Sequence, residues 1–233
     1  MKNLLLSSLL LFIVLCSCSI AHHHRFHIAE GEAITIKPHP IIQNDTSALL
    51  YKAGIRFYGK YFSGLFLFKK MNDTTQRVVF SSETGITFFD FEFSGEQFNI
   101  RQCFEKFRSK ALINTFRKDL SMILMTVIHP AHAELVKYKK EDQLILRIKE
   151  ENEYFYYYTD NHSGYYTRIE NTSKCIKKVI VLLDKNASGL TSHIIIRHKD
   201  INLYIDLQLI PRIWCYWMIF TALLISNKFR KSQ

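Results

Sequence analysis

The sequence predicts an α+β protein that is mostly antiparallel β, with two blocks of short strands separated by one amphipathic helix. Three observations carry the prediction. Aromatic residues make up 14% of the chain, with 18 Phe and 12 Tyr against 8 Gly and 4 Pro, a composition suited to half-buried pleated strands. Apolar-rich segments, many of them alternating, follow one another at short intervals with turn residues between them. The period lengthens to that of a helix once, just after Cys103.

The chain opens with an export signal. Lys2 supplies a positive charge, and Leu4 to Leu15 is apolar except for Ser7 and Ser8. Such a run is too short to cross a bilayer but suits the core of a signal peptide over residues 1–17. Leu15-Cys16-Ser17-Cys18 resembles the lipobox of bacterial lipoproteins. An aliphatic residue stands three before the cysteine, a small residue directly before it, and Cys18 is the residue that would receive the lipid. Ordinary secretion with cleavage after Ala21 is the alternative. Residues 18–46 read as a tether, since Pro38 and Pro40 interrupt regular structure. His22, His23, His24 and His27 cluster there, but no carboxylate or cysteine completes a defined metal geometry. No metal or other cofactor is expected.

The first block of strands is expected near Ala48–Tyr58, Phe62–Met71, Gln76–Ser82, Ile86–Phe93 and Gln97–Cys103, with turn chemistry at Asn72-Asp73-Thr74, Glu83-Thr84-Gly85 and Ser94-Gly95. Alternation puts Phe89, Phe91 and Phe93 on one face and Phe88, Asp90 and Glu92 on the other. Asp90 and Glu92 stand about 7 Å apart on that face. Without an accompanying nucleophile or histidine, they read as a solvated strand surface. Phe104, Phe107, Ala111, Phe116, Leu120, Ile123, Leu124 and Val127 then recur at helical spacing, giving a helix of roughly 20 residues ended by Pro130. It must lay its apolar face on a sheet.

The second block is expected near Gln143–Lys149, Tyr154–Thr159, Tyr165–Glu170, Cys175–Leu183, His193–His198 and Ile201–Leu209. Asp160-Asn161-His162-Ser163-Gly164 and Asn186-Ala187-Ser188-Gly189 connect hairpins. In Tyr154-Phe155-Tyr156-Tyr157-Tyr158, Phe155 and Tyr157 share one face and the three other tyrosines take the opposite one. A strand apolar on both faces is buried on both, or lines a cavity on one. Residues 47–210 form the domain, and 211–233 are a hydrophobic C-terminal extension. Its apolar stretch, Ile213 to Ser226, is shorter than a bilayer span. It admits two readings, an interfacial helix or an extension outside the fold.

Charge and motifs narrow the function. The net charge is +10, but the basic residues are spread through strands and an exported chain does not meet nucleic acid. Anionic lipid headgroups suit the charge better. No Gly-x-Ser-x-Gly, His-Glu-x-x-His or phosphate-cradling glycine loop occurs, so no enzyme is expected. Of the cysteines beyond the export signal, Cys103 and Cys175 are permitted to bridge, though unpaired burial is the default. Five Asn-x-Ser/Thr triplets, at Asn44, Asn72, Asn161, Asn171 and Asn186, admit a different class, a eukaryotic secreted glycoprotein.

The order lipobox, strand block, amphipathic helix and second strand block resembles the LolA/LolB-like superfamily. Phe62-Ser63-Gly64-Leu65 with Lys69-Lys70, Arg77-Val78-Val79-Phe80, Glu83-Thr84-Gly85 and Phe88-Phe89-Asp90-Phe91-Glu92 look like lipoproteins of Bacteroidota. The resemblance implies a curved half-barrel sheet of about ten strands covered by the helix, with a greasy cavity for acyl chains or lipoproteins. It implies no catalytic residues. Lining positions expected for such a cavity are Phe57, Phe66, Phe68, Phe89, Phe91 and Tyr157, each of which also suits a packed core. The implied protein is held to the membrane through the lipid anchor on Cys18, at the bacterial outer membrane facing the periplasm. An envelope adaptor with no ligand is the alternative.

Overall fold

The computed structural model describes residues 26–28, 40–42, 48–95, 97–126, 133–138, 144–173 and 176–211. Among them, thirteen strands form one open, curved antiparallel sheet. In chain order these are β1 (Phe26–Ile28), β2 (Leu49–Phe57), β3 (Lys60–Lys70), β4 (Thr75–Ser81), β5 (Thr87–Ser94), β6 (Gln97–Cys103), β7 (Ala133–Tyr138), β8 (Leu144–Glu150), β9 (Glu153–Thr159), β10 (Tyr166–Ser173), β11 (Ile176–Lys185), β12 (Thr191–His198) and β13 (Leu203–Leu209). Between β6 and β7 lie a 3-10 turn, Glu105–Phe107, and helix α1, Lys110–Leu124.

Across the sheet the order is β1-β7-β8-β9-β10-β11-β12-β13-β2-β3-β4-β5-β6. Each block is therefore a meander, and the two are joined at β13–β2, where Leu203 pairs with Phe57 and Leu209 with Tyr51. The period-2 patterns place Leu49, Tyr51, Ala53 and Ile55 of β2 in the core, with Leu203, Ile205 and Leu207 of β13 beside them. α1 lies on the concave side of the curved sheet, where Phe116 meets Phe89 of β5 and the Met122 carbonyl accepts from Tyr157 of β9, so one helix contacts both strand blocks.

Ser109 caps α1, its hydroxyl accepting from the Leu112 N–H at 3.3 Å. The helix stops at Met125, which takes a left-handed φ of 60°, five residues before the expected stop at Pro130. Thr126 N–H then bonds to the Ser121 carbonyl, satisfying an end that lacks the usual glycine. Leu112, Phe116, Leu120, Met122, Ile123 and Leu124 face the sheet. Phe107, expected within the helix, sits instead in the separate 3-10 turn.

Two strands exceed the expected set. β7 has weak alternation, and β1 pairs with it, Phe26 opposite Tyr138. Both Ile41 and Ile42, inside the expected 18–46 tether, are buried in the main core. Cys103 is a free, buried thiol, pushed up by burial. The 211–233 extension lies outside the described residues beyond Pro211, as do Cys18, Cys175, His22, His23 and His24.

Candidate functional site

The concave face carries an aromatic wall, because alternation aims one set of side chains from β3, β4 and β5 at the helix. Phe66 and Phe68 of β3, Phe80 of β4, and Phe89 and Phe91 of β5 are all buried. Phe89 and Phe91 stack at 4.4 Å and 10°, while Phe66 meets Phe89 edge-on at 5.5 Å. Phe116 of α1 closes on Phe89 at 5.0 Å, and Phe107 touches Phe62, Phe80 and Phe88. Four of the expected lining residues, Phe66, Phe68, Phe89 and Phe91, are thus brought together. Tyr157 lies on β9 in the other strand block, its hydroxyl donating to the Met122 carbonyl of α1 at 3.1 Å. Phe57 is half-buried at a hairpin end, its ring against Tyr58. Nothing in the periodicity distinguished Phe80 and Phe116 from ordinary core, and they complete the wall.

Polar groups fasten the roof. Asp119 of α1 and His198 of β12 pair at 2.8 Å inside the protein. Burial pushes the Asp119 carboxyl above the usual carboxylate range, and the hydrogen bond and charge of His198 pull against that. Its other oxygen has no hydrogen-bond partner among the described residues. One position away, Lys118 pairs with Glu153 of β9. Glu153 also accepts from Asn171 at 3.0 Å and from Lys178 at 3.1 Å. Burial raises the Glu153 carboxyl, but these three donors outweigh it and hold the group below its ordinary value. Sequence reading missed both clusters, because they join residues far apart in the chain.

On the convex face the aromatic run of β9 is buried as well. Tyr156 and Tyr158 form a second cluster with Val136 and Ile145. The Tyr158 hydroxyl donates to Glu170 at 3.1 Å, and Lys177 pairs with the same carboxylate at 2.9 Å. Asp90 and Glu92 are not a surface carboxylate pair. Asp90 is buried under a bidentate contact from Arg77, with Nε at 2.7 Å, and Glu92 is held by Arg101 at 2.8 Å. Asn171 is fully buried, so its triplet is closed to a glycan in the folded state, whereas Asn186 lies in an exposed turn.

A cleft of about 600 Å³ opens between the β9–β10 and β11–β12 hairpins, lined by Tyr165, Tyr166, Leu183 and Lys185. The β10–β11 ladder starts only at Arg168–Leu182, so the two hairpins part beyond it. Lys185 lies over the Tyr165 ring at 4.2 Å. Among the described residues no His, Cys, Asp and Glu group is arranged to hold a metal, and no helix is long and apolar enough to cross a membrane.

No protein-family model and no curated protein matches the chain. Solved structures of similar shape include a LolA superfamily protein from Nitrosomonas europaea, with TM-score 0.48 and 6% identity over 73% of this chain and 87% of that one. A putative outer membrane lipoprotein-sorting protein domain from Vibrio parahaemolyticus gives TM-score 0.47 and 7% identity over 71% and 83%. A DUF1329 family protein from Desulfovibrio piger gives 0.41 and 13% over 71% and 85%. At TM-scores below 0.5 none of the three fixes the function of this chain.

Proposed function

We propose that this is a membrane-anchored lipoprotein of the bacterial envelope, tethered through Cys18, that takes an acyl chain or a lipoprotein's lipid between the concave sheet and α1. One observation carries the reading: a continuous aromatic wall roofed by helix α1, which is fastened at polar points. The wall rings are packed against each other and α1, so an acyl chain reaches them by displacing the helix. Apolar surface re-covered by the ligand offsets the contacts that α1 gives up. An outer-membrane site facing the periplasm is the location that the LolA/LolB-like resemblance implies.

Organic extraction of the purified protein followed by mass spectrometry, with displacement of a fluorescent fatty acid, tests the carrier reading. A co-purifying lipid and a saturable displacement are expected. No bound lipid and no displacement would leave the second reading, an adaptor without ligand. Complete burial of Phe66, Phe68, Phe89 and Phe91 is the observation that favours that second reading.

A further inference from the structure

The convex face of β12, β13, β2 and β3 carries a row of alternating arginine and tyrosine. Arg197 stands opposite Tyr204, Tyr204 opposite Arg56, and Arg56 opposite Tyr61. Because the core takes Ile196, Leu203, Ile205 and Ile55, these four residues point the other way. Both guanidiniums lie against the Tyr204 ring, Arg56 at 5.7 Å and Arg197 at 5.9 Å. Tyr61 lies over the gap left by Gly54, where a Cβ would stand 2.7 Å from the Tyr61 hydroxyl oxygen.

Two features separate this row from an ordinary solvated strand surface. Neither Arg56 nor Arg197 has a carboxylate partner among the described residues, whereas Arg77 and Arg101 each have one. The nearest acid along β13, Asp206, is engaged by His193 at 2.9 Å and by the Tyr204 hydroxyl at 3.4 Å. The row also ends on exposed aromatics at one rim. Tyr58 and Tyr61 are 64% and 65% exposed, with Lys60 between them. The Tyr58 N–H bonds to the Asn202 carbonyl at 3.0 Å, which sets this hairpin tip against the turn that holds Lys199. Asp200 in that turn lies 3.9 Å from His198.

Cation–π attraction draws a guanidinium toward an aromatic ring without using its N–H donors, which stay free for phosphate. Exposed tyrosines beside lysines are the side chains that settle at a headgroup boundary. We propose that the Arg197–Tyr204–Arg56–Tyr61 row, with the Tyr58 rim, docks the domain against an anionic phospholipid surface. Charge complementarity commits it to that occupant: a chain of net charge +10 presents unpaired guanidiniums beside interfacial aromatics. The surface is separate from the acyl site, so failure of either leaves the other standing.

The full chain carrying Cys18→Ser is partitioned onto phosphatidylcholine vesicles with and without phosphatidylglycerol. Neutral vesicles report any binding through apolar segments. The expected result is a preference for anionic vesicles that fades as ionic strength rises from about 0.05 to about 0.5 M. Arg56→Gln with Arg197→Gln lowers that preference about fivefold per arginine. Lys69→Gln with Lys70→Gln, the same charge loss at the other end of β3, leaves it nearly unchanged. Equal binding to both vesicles, an unaffected arginine variant, or an equal fall in the lysine variant overturns the proposal.

A measurement without variants guards against misfolding. Phenylglyoxal labelling of the same chain, read by peptide mass spectrometry, should show Arg56 and Arg197 protected by anionic vesicles and open with neutral ones. Open arginines on anionic vesicles overturn the proposal. Equal protection by inorganic phosphate alone overturns it as well, and assigns the row to a soluble anion.

Discussion

Asp119 of α1 and His198 of β12 meet at 2.8 Å with 1% and 4% of their side chains exposed, tying the roof helix to the sheet from inside. A buried pair contributes little net stability, yet removing one partner strands the other. His198→Ala is expected to lower unfolding free energy by about 3 kcal/mol in urea titration. Asp119→Leu with His198→Leu should recover most of that loss, since no charge is left buried. A double variant as unstable as the single one would mean that the pair itself, not the stranded charge, holds the helix.

Glu153 gives the fold an acid-sensitive contact. Its folded carboxyl titrates below the ordinary 4.5, so its stabilisation is complete above about pH 4.5 and is lost as pH falls through the lower folded value. Asp119, raised by burial, works in the opposite direction and is common to both proteins compared. Glu153→Gln should therefore cost about 1 kcal/mol at pH 7, given its partial exposure, and the difference from wild type should shrink as pH falls from 4.5 through the lower folded value. A constant difference across that range would rule out the ionic contribution.

Phe89 and Phe57 separate wall from rim. Phe89 is fully buried, and Phe89→Ala should cost about 3–5 kcal/mol, while half-buried Phe57→Ala should cost clearly less. If the wall takes acyl chains, the void left by Phe89→Ala raises fatty-acid uptake relative to Phe57→Ala. Uptake unchanged in both variants would count against an acyl site at the wall.

Gly64 marks a close approach of the β3 backbone to its neighbour β4. A Cβ there would run into the Ser81 carbonyl oxygen of the neighbouring strand, and backbone has little room to give. Gly64→Ala should cost about 2–3 kcal/mol, as overpacking does. Gly59, with φ of 77° but open space around it, should lose only about 1 kcal/mol on the same change. Thermal melts of the two variants make the comparison.

Cys18 decides the anchor. Metabolic labelling with palmitate should mark the wild type and leave Cys18→Ala unlabelled. Equal label in both would end the lipoprotein reading and reopen that of a secreted glycoprotein.

Local pattern carried the sheet and stopped at its long-range joins. Phe89, Phe91 and Phe93 were legible because alternation alone sets their face. The doubly apolar β9 was legible because only burial on both faces tolerates Tyr156 and Tyr158 beside Phe155 and Tyr157. Asp90 looked solvent-facing, and its burial depends on Arg77 reaching across from β4, which no local period records. β7 was missed because Ala133–Tyr138 alternates weakly and finds a partner in β1 far upstream. The end of α1 was misplaced because Met125 adopts a left-handed cap conformation that sequence reserves for glycine. Asp119 and His198, 79 residues apart, had no shared signal at all.

The seam between β13 and β2 has a consequence for biogenesis. β13, the last of the described strands, pairs with β2, the second. Such distant pairing closes slowly. One edge of β2 therefore stays unpaired until β13 arrives, and the two meanders become one sheet only at that step.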